Sequence, residues 1–191
     1  MTYTRMIAAT LIVTGLTACS SSSNSSPPPD PSYADLLTQR NDIRALVSTS
    51  ASQSDLPPGG SAEYRGAYAG VFVTARDAPA IQIAGPAVMD VAFGSSPTAD
   101  LRIDRITSDT LPDLSGELVA NDMAITNGQI EDSTTLMLTG VPVGGATATL
   151  ESDVFIFGSF SVNANQAIGN ITTGATEGFN TNGNFAVARQ P

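Results

Sequence analysis

The sequence predicts an all-β fold, an eight-stranded antiparallel β-barrel preceded by a short helix and a flexible, lipidated leader. Three observations lead there. From about residue 63 the hydrophobic pattern changes from the period of a helix to the period of two of a strand. Strand-forming runs then recur at roughly 8 to 12 residue spacing between turn signals, which is the pattern of a sandwich or barrel. Charged residues make up only 14% of the chain, while Gly, Ser, Thr, Asn and Ala abound, the profile of an exported all-β protein.

The leader comes first. Residues 1–18 read as a secretory signal, with Arg5 ahead of an uncharged run from Met6 to Ala18. That run is too short to cross a membrane, which takes roughly 20 apolar residues. Its end, Leu16-Thr17-Ala18-Cys19, resembles the lipobox of bacterial lipoproteins. The resemblance implies cleavage behind Ala18 and acylation of Cys19, which becomes the first residue of the mature chain. Cys19 is the only cysteine, so it has no partner in this chain for a disulfide. One acyl chain anchors marginally, at about 0.8 kcal/mol per buried methylene, and the several chains of such lipoproteins anchor durably. Ser20 rather than Asp follows the cysteine, which by the sorting pattern of these lipoproteins favours the outer membrane.

Composition narrows the function classes. Eighteen Asp and Glu face eight basic residues, all of them Arg, for a net charge of -10. A chain this acidic, without a basic patch in its sequence, is repelled by nucleic acid and by anionic membrane surfaces. There is no His. With Cys19 committed to lipid, a zinc or haem site built on His or Cys has no ligands. Without His or Lys, Ser-His and Ser-Lys nucleophile arrangements are also impossible.

Residues 19–31 form a Ser/Pro-rich tether, flexible at first and then stiffened by Pro27-Pro28-Pro29. A short helix and a linker occupy residues 32–62. Ser32 and Asp35 have the spacing of a capping box, and Tyr33, Leu36, Leu37, Arg40, Ile43 and Val47 keep helical spacing. The helix is expected to pack on the domain, with a partner-binding stalk as the alternative. Leu56-Pro57-Pro58-Gly59-Gly60 then breaks regular structure.

Residues 63–190 form the predicted barrel domain. Tyr64, Gly66, Tyr68, Gly70 and Phe72 alternate large and small along one face of its first strand. Such alternation fits side chains into a tapered barrel interior, and the glycines let the strand bend. Further strand candidates are Ile81 to Gly94, Asp100 to Ile106, Leu114 to Ala120, Met123 to Ile130, Thr134 to Thr139, Ala146 to Leu150, Asp153 to Val162, Ala167 to Thr172 and Gly183 to Arg189. The turn signals include Ser95-Ser96-Pro97, Leu111-Pro112-Asp113, Asn127-Gly128, Gly144-Gly145 and Asn182-Gly183. Closure of these strands into a barrel removes exposed edges.

Several of these segments resemble the barrel domain of transferrin-binding protein B-like surface lipoproteins, a group related to factor H binding protein. YRGAYAG at 64–70, GPAVMDVAFG at 85–94 and LSGEL at 114–118 carry part of the likeness. GSFSVNANQAIG at 158–169 and GNFAVARQ at 183–190 carry the rest. The chain departs from the pattern at Ser161-Val162-Asn163, where a Tyr-Gly-Pro turn is common, and at Ala167, where an acidic residue is. The resemblance implies an outer-membrane-anchored binding module for a protein or nutrient ligand, of the metal- or haem-acquisition type. Transferrin itself is not the expected ligand, because its receptors of this kind have two lobes with handle domains and this chain has one barrel. A structural envelope lipoprotein without a dedicated ligand is the alternative.

Other chemistry is thinly represented. Asp100 with Asp104, and Glu131 with Asp132, are the carboxylate pairs available for acid-base work, and solvated loop charge is the reading preferred. Asp109, Asp113, Asp122 and Asp132 offer oxygens for calcium, but no EF-hand-type loop surrounds them. Asn170-Ile171-Thr172 has the form of a glycosylation sequon and reads as an ordinary strand start. The expected activity is therefore binding without catalysis or cofactor. Phe155 and Phe157 fall on the outward face of their strand. The helix at 32–47 is expected to cover them, with an exposed partner patch as the other reading.

Overall fold

The computed structural model describes residues 30–47, 55–75, 78–173 and 179–191. The expected signal segment, Cys19 and nearly all of the expected tether lie outside the described residues.

Helix α1 spans Tyr33–Leu46, and the capping box is formed. The Ser32 hydroxyl accepts from the Asp35 backbone N–H, and the Asp35 carboxylate accepts from the Ser32 backbone N–H. The Ser32 hydroxyl, donating to the Asp35 carboxylate at 2.7 Å, and then the Ser32 backbone N–H hold the Asp35 carboxyl below its usual range. Nine strands follow: β1 (Gly60–Val73), β2 (Ile81–Phe93), β3 (Thr98–Ile103), β4 (Thr107–Ser108), β5 (Ser115–Thr126), β6 (Gln129–Val143), β7 (Ala146–Phe160), β8 (Gln166–Thr173) and β9 (Asn180–Arg189). Eight of them close an antiparallel barrel in the order β1-β9-β8-β7-β6-β5-β3-β2, with β2 returning to β1. The two residues of β4 continue the β3 side of β2 past a kink in which Arg105 has φ 46. Pro86 lies at that irregularity, where its carbonyl accepts from Asp104 and its missing N–H interrupts no regular ladder.

The first strand forms as its pattern predicts. Tyr64, Tyr68 and Phe72 all point into the barrel and are fully buried. Tyr64 meets Phe160 edge-on, as does Phe93, and these rings fill one end. The other end holds Phe72 against Phe179. Between them, Tyr68 lies against Gly183 and Gly70, and the Phe185 ring lies against Gly169. The glycines are the space these rings occupy. The Tyr64 hydroxyl donates to the Ala164 carbonyl, and Tyr68 and Thr181 share a hydrogen bond at 3.3 Å. Burial pushes both phenols up to about 12, with the Arg189 charge opposing it at Tyr64 and the Thr181 bond opposing it at Tyr68.

Several expected boundaries differ. The candidates Leu114 to Ala120 and Met123 to Ile130 divide at Asn121-Asp122, but β5 runs through that point on a bulge with Asp122 at φ 55. The Asp122 N–H leaves the ladder and donates to the Asp100 carboxylate at 2.7 Å. Likewise Ala146 to Leu150 and Asp153 to Val162 are one strand, β7. The apparent break is Ser152, which is buried and donates to the Phe179 carbonyl. Val162 begins a 3-10 turn outside the strand. Asn182-Gly183, expected as a turn, lies inside β9, because glycine is required there by the Tyr68 ring rather than by a reversal. Asn127-Gly128 and Gly144-Gly145 are the turns expected, each glycine at positive φ. Leu56, in the expected breaker, joins the core.

Candidate functional site

The outer wall of the barrel differs around its circumference. On β1 and β2 the outward residues Ala67, Ala69 and Ala84 are small, and α1 lies across them with Leu36 buried and Tyr33 and Leu37 partly buried. The helix packs on β1, β2 and β9 and reaches β8. It does not cover Phe155 and Phe157, contrary to expectation. Both are 43% exposed on β7 and stack on one another with centroids 6.4 Å apart. The reason is steric: alanines let a helix approach the sheet closely, whereas a pair of protruding phenylalanines does not.

Three polar contacts fix α1 on this seat. The Tyr33 hydroxyl donates to the Gln82 Oε1 at 2.6 Å. Arg40 and Arg44, one turn apart, both donate to the Asn184 Oδ1 on β9, at 2.8 and 3.1 Å. Arg40 also donates to the Asn41 Oδ1 at 2.6 Å, and its buried Nε has no acceptor. Burial first, and then the Arg44 charge, lowers the Arg40 guanidinium from its usual range. No ion pair involves either arginine among the described residues. The exposed Leu46 follows at the helix end.

Beyond Arg44 the wall forms a groove of about 660 Å³ over β6, β7, β8 and β9. Phe157 and Ser159 of β7, Asn170 and Ile168 of β8, and Asn184 of β9 line it. Gln129 and Glu131, beside the Asn127-Gly128 turn, line its β6 side. Planar amides, hydroxyls, the outward Phe157 ring and one charge of each sign line it. A nucleophile paired with a base is not among them.

The other acidic candidates are engaged or apart. Glu63, Asp90 and Asp100 form a row across β1, β2 and β3. Arg65 and Arg102 flank it, Arg65 pairing with Glu63, and Arg102 with Asp104 at 3.0 Å. Asp100 and Asp104 therefore serve a bulge and two arginines (Arg102 and Arg105) rather than one another. Glu131 faces outward and the adjacent Asp132 lies on the opposite face of β6, so they do not converge. No three acidic residues gather as a metal site among the described residues, so Asp109, Asp113, Asp122 and Asp132 are not brought together. Asn170 sits within β8 instead of at a strand start. Sequence reasoning placed Arg40 on the helix but passed over Arg44 and Asn184. The signal available was two arginines four apart on a helix, a like-charge spacing that is unfavourable unless something anionic or polar meets it.

The fold defines a class, a filled, closed antiparallel barrel, here with a groove on its outer wall. Among solved structures, the chain is similar to two of transferrin-binding protein B, a vaccine antigen from Haemophilus parasuis Hp5, one a double mutant and one a single mutant. The identity is 14% for both, with TM-scores of 0.49 and 0.47. The matches cover 75% of this chain but only 28% and 29% of those chains, and the likeness is one of fold. No protein-family model matches the chain, and no curated protein does.

Proposed function

We propose that this chain is a lipid-anchored outer-membrane lipoprotein whose barrel is a binding module for a protein or nutrient ligand, of the kind used in metal or haem acquisition. In this reading residues 1–18 are removed, Cys19 carries the lipid, and residues 19–31 tether the helix and barrel. One observation carries the binding role. The barrel interior is packed with rings, so a ligand must use the outside, and the outside bears a bare aromatic pair beside a polar groove. A structural envelope protein has no need of two exposed, stacked phenylalanines.

The test is capture of ligand from host or environmental fluid by the full chain, kept lipid-free by Cys19→Ser. The double variant Phe155→Ser/Phe157→Ser should retain its fold and lose the captured species. Equal capture by both forms would overturn the reading. Fatty-acid labelling tests the anchor separately: the wild type should take up label and Cys19→Ser should not.

A further inference from the structure

Among the described residues Arg189 lies over the Phe93 ring, and the other five arginines divide into two groups. Arg65, Arg102 and Arg105 each meet a carboxylate of the same chain. Arg40 and Arg44 converge on one neutral amide oxygen, although the chain has eighteen acidic residues to choose from. Two guanidiniums offer ten N–H donors in all. The bonds to Asn184 and Asn41 use three of them. Like charges at this helical spacing repel by about 0.2 to 0.5 kcal/mol, and a shared amide does not neutralise them. Arg44 also lines the groove, with Asn184 at its foot. Arg44 stands at the edge of an open groove with the partly buried Arg40 one turn behind it, and among the described residues no anion meets this pair.

We infer that Arg40 and Arg44, clamped on Asn184 where α1 crosses β9, form an oxyanion-binding site that receives a carboxylate of the ligand. This rests on the binding role proposed above and adds the chemistry of what is bound. The planar guanidinium fork matches a carboxylate in two parallel hydrogen bonds, which a point charge does not. Glu131 on the β6 side of the groove repels the same group, so the carboxylate seats on the α1 side and the rest of the ligand extends toward Phe157.

The probe is a blocked triglutamate peptide, titrated into the lipid-free full chain while the arginine Nε–Hε and asparagine side-chain NMR signals are followed. Saturable shifts are expected at Arg40, Arg44 and Asn184, reduced at high salt and absent in Arg44→Gln, whose exposed side chain leaves the fold intact. A blocked triglutamine peptide should produce none. Inorganic phosphate is the second arm: shifts with phosphate but not with triglutamate would assign the site to phosphate and overturn the carboxylate. No shift with either, or shifts unchanged in Arg44→Gln, would overturn the site itself. Phe155→Ser/Phe157→Ser should leave the peptide shifts in place. Loss of capture with the shifts intact therefore speaks to the aromatic wall, and loss of the shifts with capture intact speaks only to the arginine clip.

Discussion

Two walls of this barrel are built to different rules. The wall of β1, β2 and β9 is packed on both sides, with rings inside and α1 outside. The wall of β7 is packed inside by Val154, Ile156 and Phe160, and outside it carries Phe155 and Phe157, each 43% exposed. Outward residues decide the difference. Alanine on β1 and β2 invites a helix, and phenylalanine on β7 excludes this one. The chain thus satisfies its own small-residue face and leaves the aromatic one for something else.

The contrast breaks most sharply at Gly66. A Cβ there would collide with the Ala186 carbonyl and crowd the Val187 Cα at 2.8 Å, both of them backbone of β9. Backbone held in a ladder does not yield, so Gly66→Val is expected to destabilise by about 3 kcal/mol or more, lowering Tm by roughly 10 °C. A thermal melt indistinguishable from wild type would mean the β1–β9 seam is not packed as described.

Next in size is an alkaline effect from behind the same wall. Tyr68 titrates near 10 when unfolded and is raised to about 12 by burial. The fold therefore binds the neutral phenol, and its stability is complete below pH 10 and declines as pH rises from 10 through 12. The slope is roughly 1.4 kcal/mol per pH unit over that window. Denaturant melts at pH 9, 10.5 and 11.5 should show it, and Tyr68→Phe should remove the Tyr68 share while Tyr64, raised to the same value, keeps its own. An unchanged slope in Tyr68→Phe would place the alkaline loss elsewhere.

Ala69→Val probes the outer side of the covered wall. Alternation alone marks this position as outward and tolerant, but Ala69 is only 3% exposed because α1 lies upon it. Two added methyls should lift the helix and destabilise by about 1 kcal/mol, whereas Val71→Thr, two residues along and partly exposed, should change little. The smallest effect belongs to the bare wall. Phe155→Ser/Phe157→Ser should move stability by no more than about 0.5 kcal/mol, and a larger loss would show that this pair is structural.

The fold was legible where local pattern and packing agree. In β1 the Tyr-Gly alternation is read along one strand, and each glycine answers a ring or a neighbouring strand. It was illegible where a polar residue had a buried partner far away. Ser152 looks like a strand break until the Phe179 carbonyl is placed beside it, and Asp122 looks like a turn until Asp100 accepts its N–H. The groove was hidden for a related reason. Its lining comes from α1, the β5–β6 hairpin, β7, β8 and β9, which are far apart in the sequence. The seat of α1 could have been read from Ala67, Ala69 and Ala84, had their small size been weighed against the bulk of Phe155 and Phe157.

Barrel closure also sets an order of events. Apart from the short β4, each strand of the barrel pairs with its successor in sequence, so these contacts are local hairpins that form without long loops. The exception is the seam, where Tyr64 meets Arg189 and Phe72 meets Thr181 across nearly the whole barrel sequence. A chain delivered amino terminus first therefore completes β1 and β2 while the other edge of β1 waits for β9, the last strand to emerge. During that interval β1 offers an unpaired edge of the kind that recruits other strands. Loop closure entropy, growing as the logarithm of length, makes this final step the slowest of the pairings. Truncation within β9 would thus leave the chain in its most aggregation-prone form, with most of its strands made and its last edge open.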